Sequence, residues 1–332
     1  MKYLLRLSIL TIVVGILCSC GSNSTAPTLQ FEEPEHILKN VFVQALTFDN
    51  EGNAWIGSLN QGLYKVDDKV VHFNSSNSNL PDSFMILSMQ TDKLGNTWIG
   101  SNIGLIKHKD DKFQIFDSSN SPIYYNIYSL AVDHNNSIWF TNGDIYNGGV
   151  IKYDNQNWKL FSPENSNLPS TVIHDIAVDN ENNIWFTAFG TVAKFNNNEW
   201  AIYNSNNSGV NLDWVDKITF ENYKSLWFSC ANSLSSASSI IGDFPTLLKF
   251  EKNRWSRIES PKKNNETHIL TDIYGDSKGR IWLALGGELI YHYSGKWHEC
   301  CKLQTTIFDI QEKSTNQIWL GTANGVYVLK TP

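Results

Sequence analysis

EGNAWIG at 51–57 and LGNTWIG at 94–100 set a glycine, a tryptophan with an apolar neighbour and a second glycine in the same order, 43 residues apart. Tryptophans in this setting stand at Trp55, Trp98, Trp139, Trp185, Trp227, Trp282 and Trp319, at intervals of 43, 41, 46, 42, 55 and 37 residues. Aligned on the tryptophan, the next residue is always apolar: Ile56, Ile99, Phe140, Phe186, Phe228, Leu283, Leu320. The one after is always small: Gly57, Gly100, Thr141, Thr187, Ser229, Ala284, Gly321. Nine residues upstream every copy carries Leu, Ile or Met. Columns that recur at a period of about 40 residues mark a repeat architecture, each copy one supersecondary unit. The glycine–aromatic stretch is a structural unit counted along the chain.

Each copy reads as four strands. In the second these are ILSMQTD (86–92), TWIGS (97–101), GLIKHK (104–109) and FQIFD (113–117). Asp stands six residues before the tryptophan in five copies (Asp49, Asp92, Asp133, Asp179, Asp276), and Glu221 in a sixth. Three residues before it stands Gly52, Gly95, Asn136, Asn182, Gly279 or Asn316, where a tight hairpin asks for a positive φ. Lys224 in the fifth copy predicts a looser turn. Second strands such as Ile138-Trp139-Phe140 are apolar on both faces, as expected of a strand sandwiched between neighbouring blades. The pattern predicts an all-β, seven-bladed β-propeller of four-stranded antiparallel blades. The seventh copy stops after its third strand at GVYVLKTP (325–332), and TLQFEE (28–33) resembles a fourth strand, so the N-terminal segment is expected to complete blade seven.

The N-terminus, MKYLLRLSILTIVVGILCSC, pairs the basic Lys2 and Arg6 with an apolar run, Leu7 to Leu17, too short to span a bilayer comfortably. Leu17-Cys18-Ser19-Cys20 resembles the bacterial lipobox, which implies cleavage of 1–19 and acylation of Cys20. Residues 20–27 then form a lipidated tether and 28–332 the propeller, in contact with membrane through the anchor alone. The residue after Cys20 is not Asp, so by analogy with lipoprotein sorting the destination is the outer membrane, facing the periplasm or the surface. Three further cysteines, Cys230, Cys300 and Cys301, read as buried thiols, with a Cys230–Cys300 bridge open to an oxidising compartment. A net charge of −7 and the lack of any Lys/Arg block argue against nucleic acid or an anionic membrane surface as a partner.

DNEGNAWIGSLNQGLYKV and DKLGNTWIGSNIGLIKHK resemble the two-component regulator propeller repeat, roughly D-x-x-G-x-φ-W-φ-G-(S/T) followed by G-φ. Copies three to five depart at the glycine after the tryptophan, and copy seven lacks the acidic turn. The resemblance spans almost the whole mature chain and implies an extracytoplasmic ligand-sensing domain; no kinase or regulator segment accompanies it, so any output is expected on another polypeptide. WFT at 139–141 and 185–187 resembles, more distantly, streptogramin-lyase-like propellers, a likeness of fold without chemistry.

Loop lengths separate the two rims. Connections from a fourth strand to the next blade are long, and second-to-third-strand loops include ANSLSSASSIIGDFP (231–245); both classes leave the ring on one rim, the expected binding face. Tyr124, Tyr125 and Trp214 on it can stack on sugar rings or pack at the loop base. The recurring N-S-x-N-L-P reads as turn chemistry. Ten residues before each tryptophan the innermost strands carry Ala45, Ser88, Ser129, Asp175, Lys217, Asp272 and Asp309, with His174 and Asp216 one position earlier. These read either as a polar or cation-binding pocket or as a water-filled channel whose charges pair. His292 and His298, expected to face each other across one hairpin near Cys300, do not make a zinc set. The DNEGN and DNENN turns lack the distal glutamate of a calcium loop. No nucleophile elbow, H-E-x-x-H or phosphate loop occurs, and neither metal nor cofactor is expected.

Three functions remain open to the sequence: a non-enzymatic sensor-like propeller for a small-molecule or oligosaccharide ligand; a metal-assisted lyase or hydrolase built on His174, His268 and the channel carboxylates; and an envelope-assembly scaffold for a partner protein.

Overall fold

A computed structural model describes residues 31–143, 148–196, 198–221, 225–230, 246–259, 261 and 269–331. The signal segment, Cys20, the tether, Lys224, the 231–245 insertion and His268 lie outside them. The described residues form seven four-stranded antiparallel sheets, each with its strands in sequence order except the last. That sheet takes its outermost strand from the N-terminal side, so the ring closes through blade seven. The closing strand is Glu35–Ile37, paired with Gly325–Lys330, a few residues beyond the expected 28–33, of which 28–30 lie outside the described residues. The apolar signal in TLQFEE came from Phe31, which instead packs edge-on against Trp282 and Tyr291 at 6.1 and 5.8 Å. Pro34, with no N–H to give a ladder, stands just before the strand.

The core is divided into seven clusters, one between each pair of blades. Trp55 packs with Leu80, Phe84, Ile86, Ile99 and Ile106 of the second blade's segment, and the series continues round to Trp319 against Leu46, Ala54 and Ile56 of blade one. Second strands such as Ala54–Ser58 and Ser225–Cys230 are buried throughout, as their apolar runs predict. The small residue after the tryptophan pair is there because the next blade leaves it no room: a Cβ on Gly57 would lie 2.3 Å from Cγ2 of Ile86.

Each inter-blade tryptophan is held by its own hairpin. The indole Nε1 of Trp55, Trp98, Trp139, Trp185 and Trp282 donates to the carboxylate six residues upstream at 2.8–3.1 Å, and Glu221 accepts from Trp227 at 2.9 Å. The same aspartates cap the turn: Asp92 accepts backbone N–H groups of Leu94 and Asn96. Gly52, Gly95, Asn136, Asn182 and Gly279 take the expected positive φ, between 61° and 84°. Asn316 does not, because blade seven turns differently, with Ser314 paired to Gln317 and Lys313 where the other copies have an acid.

Candidate functional site

The innermost strands surround a central channel of about 710 Å³, lined by Ala45, Ser88, Ser129, Asp175, Lys217, Asp272 and Asp309 as the sequence column predicts. Their polar groups are largely committed to the ring. Ser129 Oγ accepts the N–H of Ile176 at 3.1 Å and donates to Asp175 at 2.7 Å. Asp175 accepts from Ile218 N and Asp272 from Ile310 N, at 3.0 and 2.9 Å; Asp309 accepts from Leu46 N. Each side chain thus stitches its own blade to the next innermost strand. Lys217 cannot accept such a bond, and its ammonium lies 3.6 Å from Asp272.

Burial, first, and the nearby Asp309 charge push Asp272 up to about 7 despite Lys217. Burial likewise raises Asp309 to about 6, and raises Asp175. For Lys217 burial works downward, but Asp272, Asp175, Asp216 and Asp309 outweigh it and hold the ammonium charged. The channel is thus a mixed-charge one whose members pair with each other and with the backbone.

At the long-loop mouth the candidates separate. His174 Nδ1 lies 2.7 Å from the carbonyl of Val215, and its ring stacks on Trp214 at 5.2 Å. Phe189, 64% exposed, meets the same indole edge-on at 5.5 Å. Tyr125 and Trp214 are half-buried, whereas Tyr124 is 71% exposed, its backbone N–H donating to Asn142 Oδ1. Tyr128, 59% exposed, lines the channel with Phe308, which stacks on Phe42 at 4.8 Å. Tyr128, Phe189, Phe42 and Phe308 were not singled out from sequence. Extending the column of His174 and Asp216 through every copy would have found Tyr128 and Phe308; Phe189 meets Trp214 only through tertiary pairing.

The loops that carry this rim are built alike, by turn chemistry. Asn77, Asn120, Asn165 and Asn207 each accept the backbone N–H three residues earlier and donate to the carbonyl five residues earlier. Leu80, Ile123, Leu168 and Leu212 then plug the core. His292 and His298 do not face each other. The register sets His292 opposite Trp297 and His298 opposite Tyr291, on opposite faces, because an even offset was needed for the pairing expected. Among the described residues no group of three or more His, Cys, Asp or Glu could hold a metal ion. His268 lies outside them.

No family model and no curated protein matches the sequence. Solved structures do. The extracellular domain of a putative hybrid two-component system from B. thetaiotaomicron matches with TM-score 0.68 and 16% identity, over 90% of this chain and 39% of that one, so the chain spans about two fifths of it. A catalytically inactive virginiamycin B lyase from Staphylococcus aureus with quinupristin matches with TM-score 0.68 and 13% identity, over 91% and 100% of the two chains. YCF48 bound to D1 peptide matches with TM-score 0.68 and 11% identity, over 93% and 98%. At these identities the likeness is one of fold: the chain is a seven-bladed β-propeller. The sensor-system domain and the lyase are the two kinds of propeller that the repeat resembles. No helix among the described residues is long and apolar enough to cross a membrane.

Proposed function

We propose that the chain is a lipid-anchored, extracytoplasmic binding propeller, sensor-like and non-enzymatic, acylated on Cys20 and held at the outer membrane. Its ligand is an oligosaccharide or similar small molecule taken on the long-loop rim, with Tyr124, Tyr125, His174 and Trp214 at the contact and Asp175, Lys217, Asp272 and Asp309 below. The observation that carries this reading is the set of exposed or half-exposed rings on the long-loop rim, Tyr128 and Phe308 lining the channel and His174 and Phe189 packed on Trp214, on loops fixed by repeated asparagine turns. Flat aromatic faces offer area for sugar rings at little entropic cost. The carboxylates below accept main-chain N–H groups, which suits a rigid floor better than proton transfer.

A thermal-shift screen of the purified chain against oligosaccharides tests it. A ligand at 100 times its Kd adds about 2.7 kcal/mol to stability, and Trp214→Ala and Tyr128→Ala should abolish that shift while leaving the unliganded Tm within a few degrees. A silent panel together with capture of an envelope protein on the same rim would replace this reading by the scaffold. Chelator-sensitive turnover of any panel member would replace it by the lyase. Labelling by radioactive palmitate, lost in Cys20→Ala, checks the anchor separately.

A further inference from the structure

Adjacent side chains on a strand project to opposite faces, so neighbouring cysteines do not ordinarily meet. The outermost strand of blade six, Lys296–Lys302, breaks that alternation. Cys301 pairs with Leu289 and Glu299 with Ile290, leaving Cys300 as the extra residue of a bulge. The bulge brings the two thiols together, Sγ to Sγ 3.5 Å. Both are half-buried free thiols, and both line a surface cleft with Phe31, Glu33 and Tyr327. Cys230 is buried in blade five, where burial pushes its thiol up to about 12 and leaves it inert.

We propose that Cys300 and Cys301 are a redox modification site, a dithiol that closes to a vicinal disulfide by exchange with a low-molecular-weight disulfide. The S–H of Cys300 donates to the sulfur of Cys301; that bond lowers Cys301 and, with burial, raises Cys300. Cys301 is therefore the attacking thiolate. It attacks one sulfur of the incoming disulfide, whose S–S bond breaks and releases one thiolate, leaving a mixed disulfide on Cys301. Cys300 then gives up its proton and attacks the Cys301 sulfur, forming the Cys300–Cys301 bond and expelling the second thiolate. The protein dithiol is oxidised by two electrons, the incoming disulfide is reduced to two thiols, and the two protein protons go to them. Adjacent Cα atoms are about 3.8 Å apart across a trans peptide, closer than the usual disulfide span, so the ring is strained and readily reduced. Such bonds are the labile, regulatory ones. The cleft gives access, and the neighbouring Phe31 and Tyr291 belong to the packing between blades six and seven.

The test exposes the folded full chain to oxidised glutathione, alkylates remaining thiols, and maps the tryptic peptide Trp297–Lys302, which carries both cysteines. The expected product is this peptide lighter by two hydrogens, unalkylated until reduced, and formed roughly tenfold faster in the folded chain than in urea, where the bulge is lost. A Cys300→Ser variant should stop at the mixed disulfide. A doubly alkylated peptide, a lasting mixed disulfide in the unsubstituted chain, a cross-link to the Cys230 peptide, or an equal rate in urea would each overturn the proposal. The wild-type arms stand even where the variant fails to fold.

Discussion

At the residue scale the repeat is held by a three-part lock of acid, indole and cation. Trp55, Trp98, Trp139, Trp185 and Trp227 face Lys65, Lys107, Lys152, Lys194 and Lys249 across the second-to-third-strand ladder. The ammonium groups lie 5.0–5.8 Å from the rings, within reach of a cation–π contact. Where the partner is Tyr291 or Val328, a cation arrives from elsewhere: Arg280 sits over Trp282 at 5.0 Å and Lys313 over Trp319 at 5.1 Å. Because blade seven puts Lys313 where the acid belongs, the buried Nε1 of Trp319 has no partner. The acidic column was visible in the sequence, but as turn chemistry; its bond to an indole six residues on needs the hairpin to be folded back. Asp92→Ala strands the Trp98 indole and uncaps its turn, with an expected loss of about 2–4 kcal/mol in urea unfolding. Asp92→Asn, which still accepts, should lose less.

At the element scale the second strand was the most legible piece, since burial on both faces writes itself as an uninterrupted apolar run. Its final small residue is set by the next blade: Gly57→Val drives a branched side chain into Ile86 and Met89. The expected cost is about 1–3 kcal/mol, read as a lowered Tm with unchanged far-ultraviolet circular dichroism. Closure was legible as topology and misplaced by several residues, because three residues of edge strand carry less pattern than one half-buried phenylalanine. Removing residues 1–40 deletes Glu35–Ile37 and bares the edge of Gly325–Lys330. Such an edge invites pairing with other chains, so size-exclusion chromatography should show oligomers or aggregate in place of monomer.

At the scale of the whole molecule, opposed titrations set the pH dependence. Asp272 and Asp309 carry pKa values of about 7 and about 6 in the folded ring, against about 4 unfolded. The folded chain therefore binds more protons between about pH 4 and 7, and this contribution to stability grows as pH falls across that window. Asp49 and Glu221 run the other way: burial raises them, but hydrogen bonds from Asn53 and Trp55, and from Lys249 and Trp227, win and lower them. Their contribution is present above about pH 4 and is lost as pH falls through the lowered values. Urea midpoints should peak near pH 5 and decline toward both pH 8 and pH 3. Lys217→Met removes the one Lys or Arg that lines the channel among the described residues, beside Asp175, Asp272 and Asp309. Its side chain is 39% exposed to the channel, so water screens the loss to about 1–2 kcal/mol at pH 8. At pH 5, with Asp272 and Asp309 protonated, the difference should largely vanish.

The sequence by itself determined the blade count, the hairpins, the strand order and the charged column of the channel. Each follows from aligning the seven copies in register, which averages out the noise of any single copy and shows where a copy departs. The tertiary structure alone decided which rings share the channel mouth, that the channel carboxylates hold the neighbouring blade's main chain, and that a bulge sets Cys300 beside Cys301. These depend on contacts between blades and on one displaced register. No spacing within a single copy encodes them.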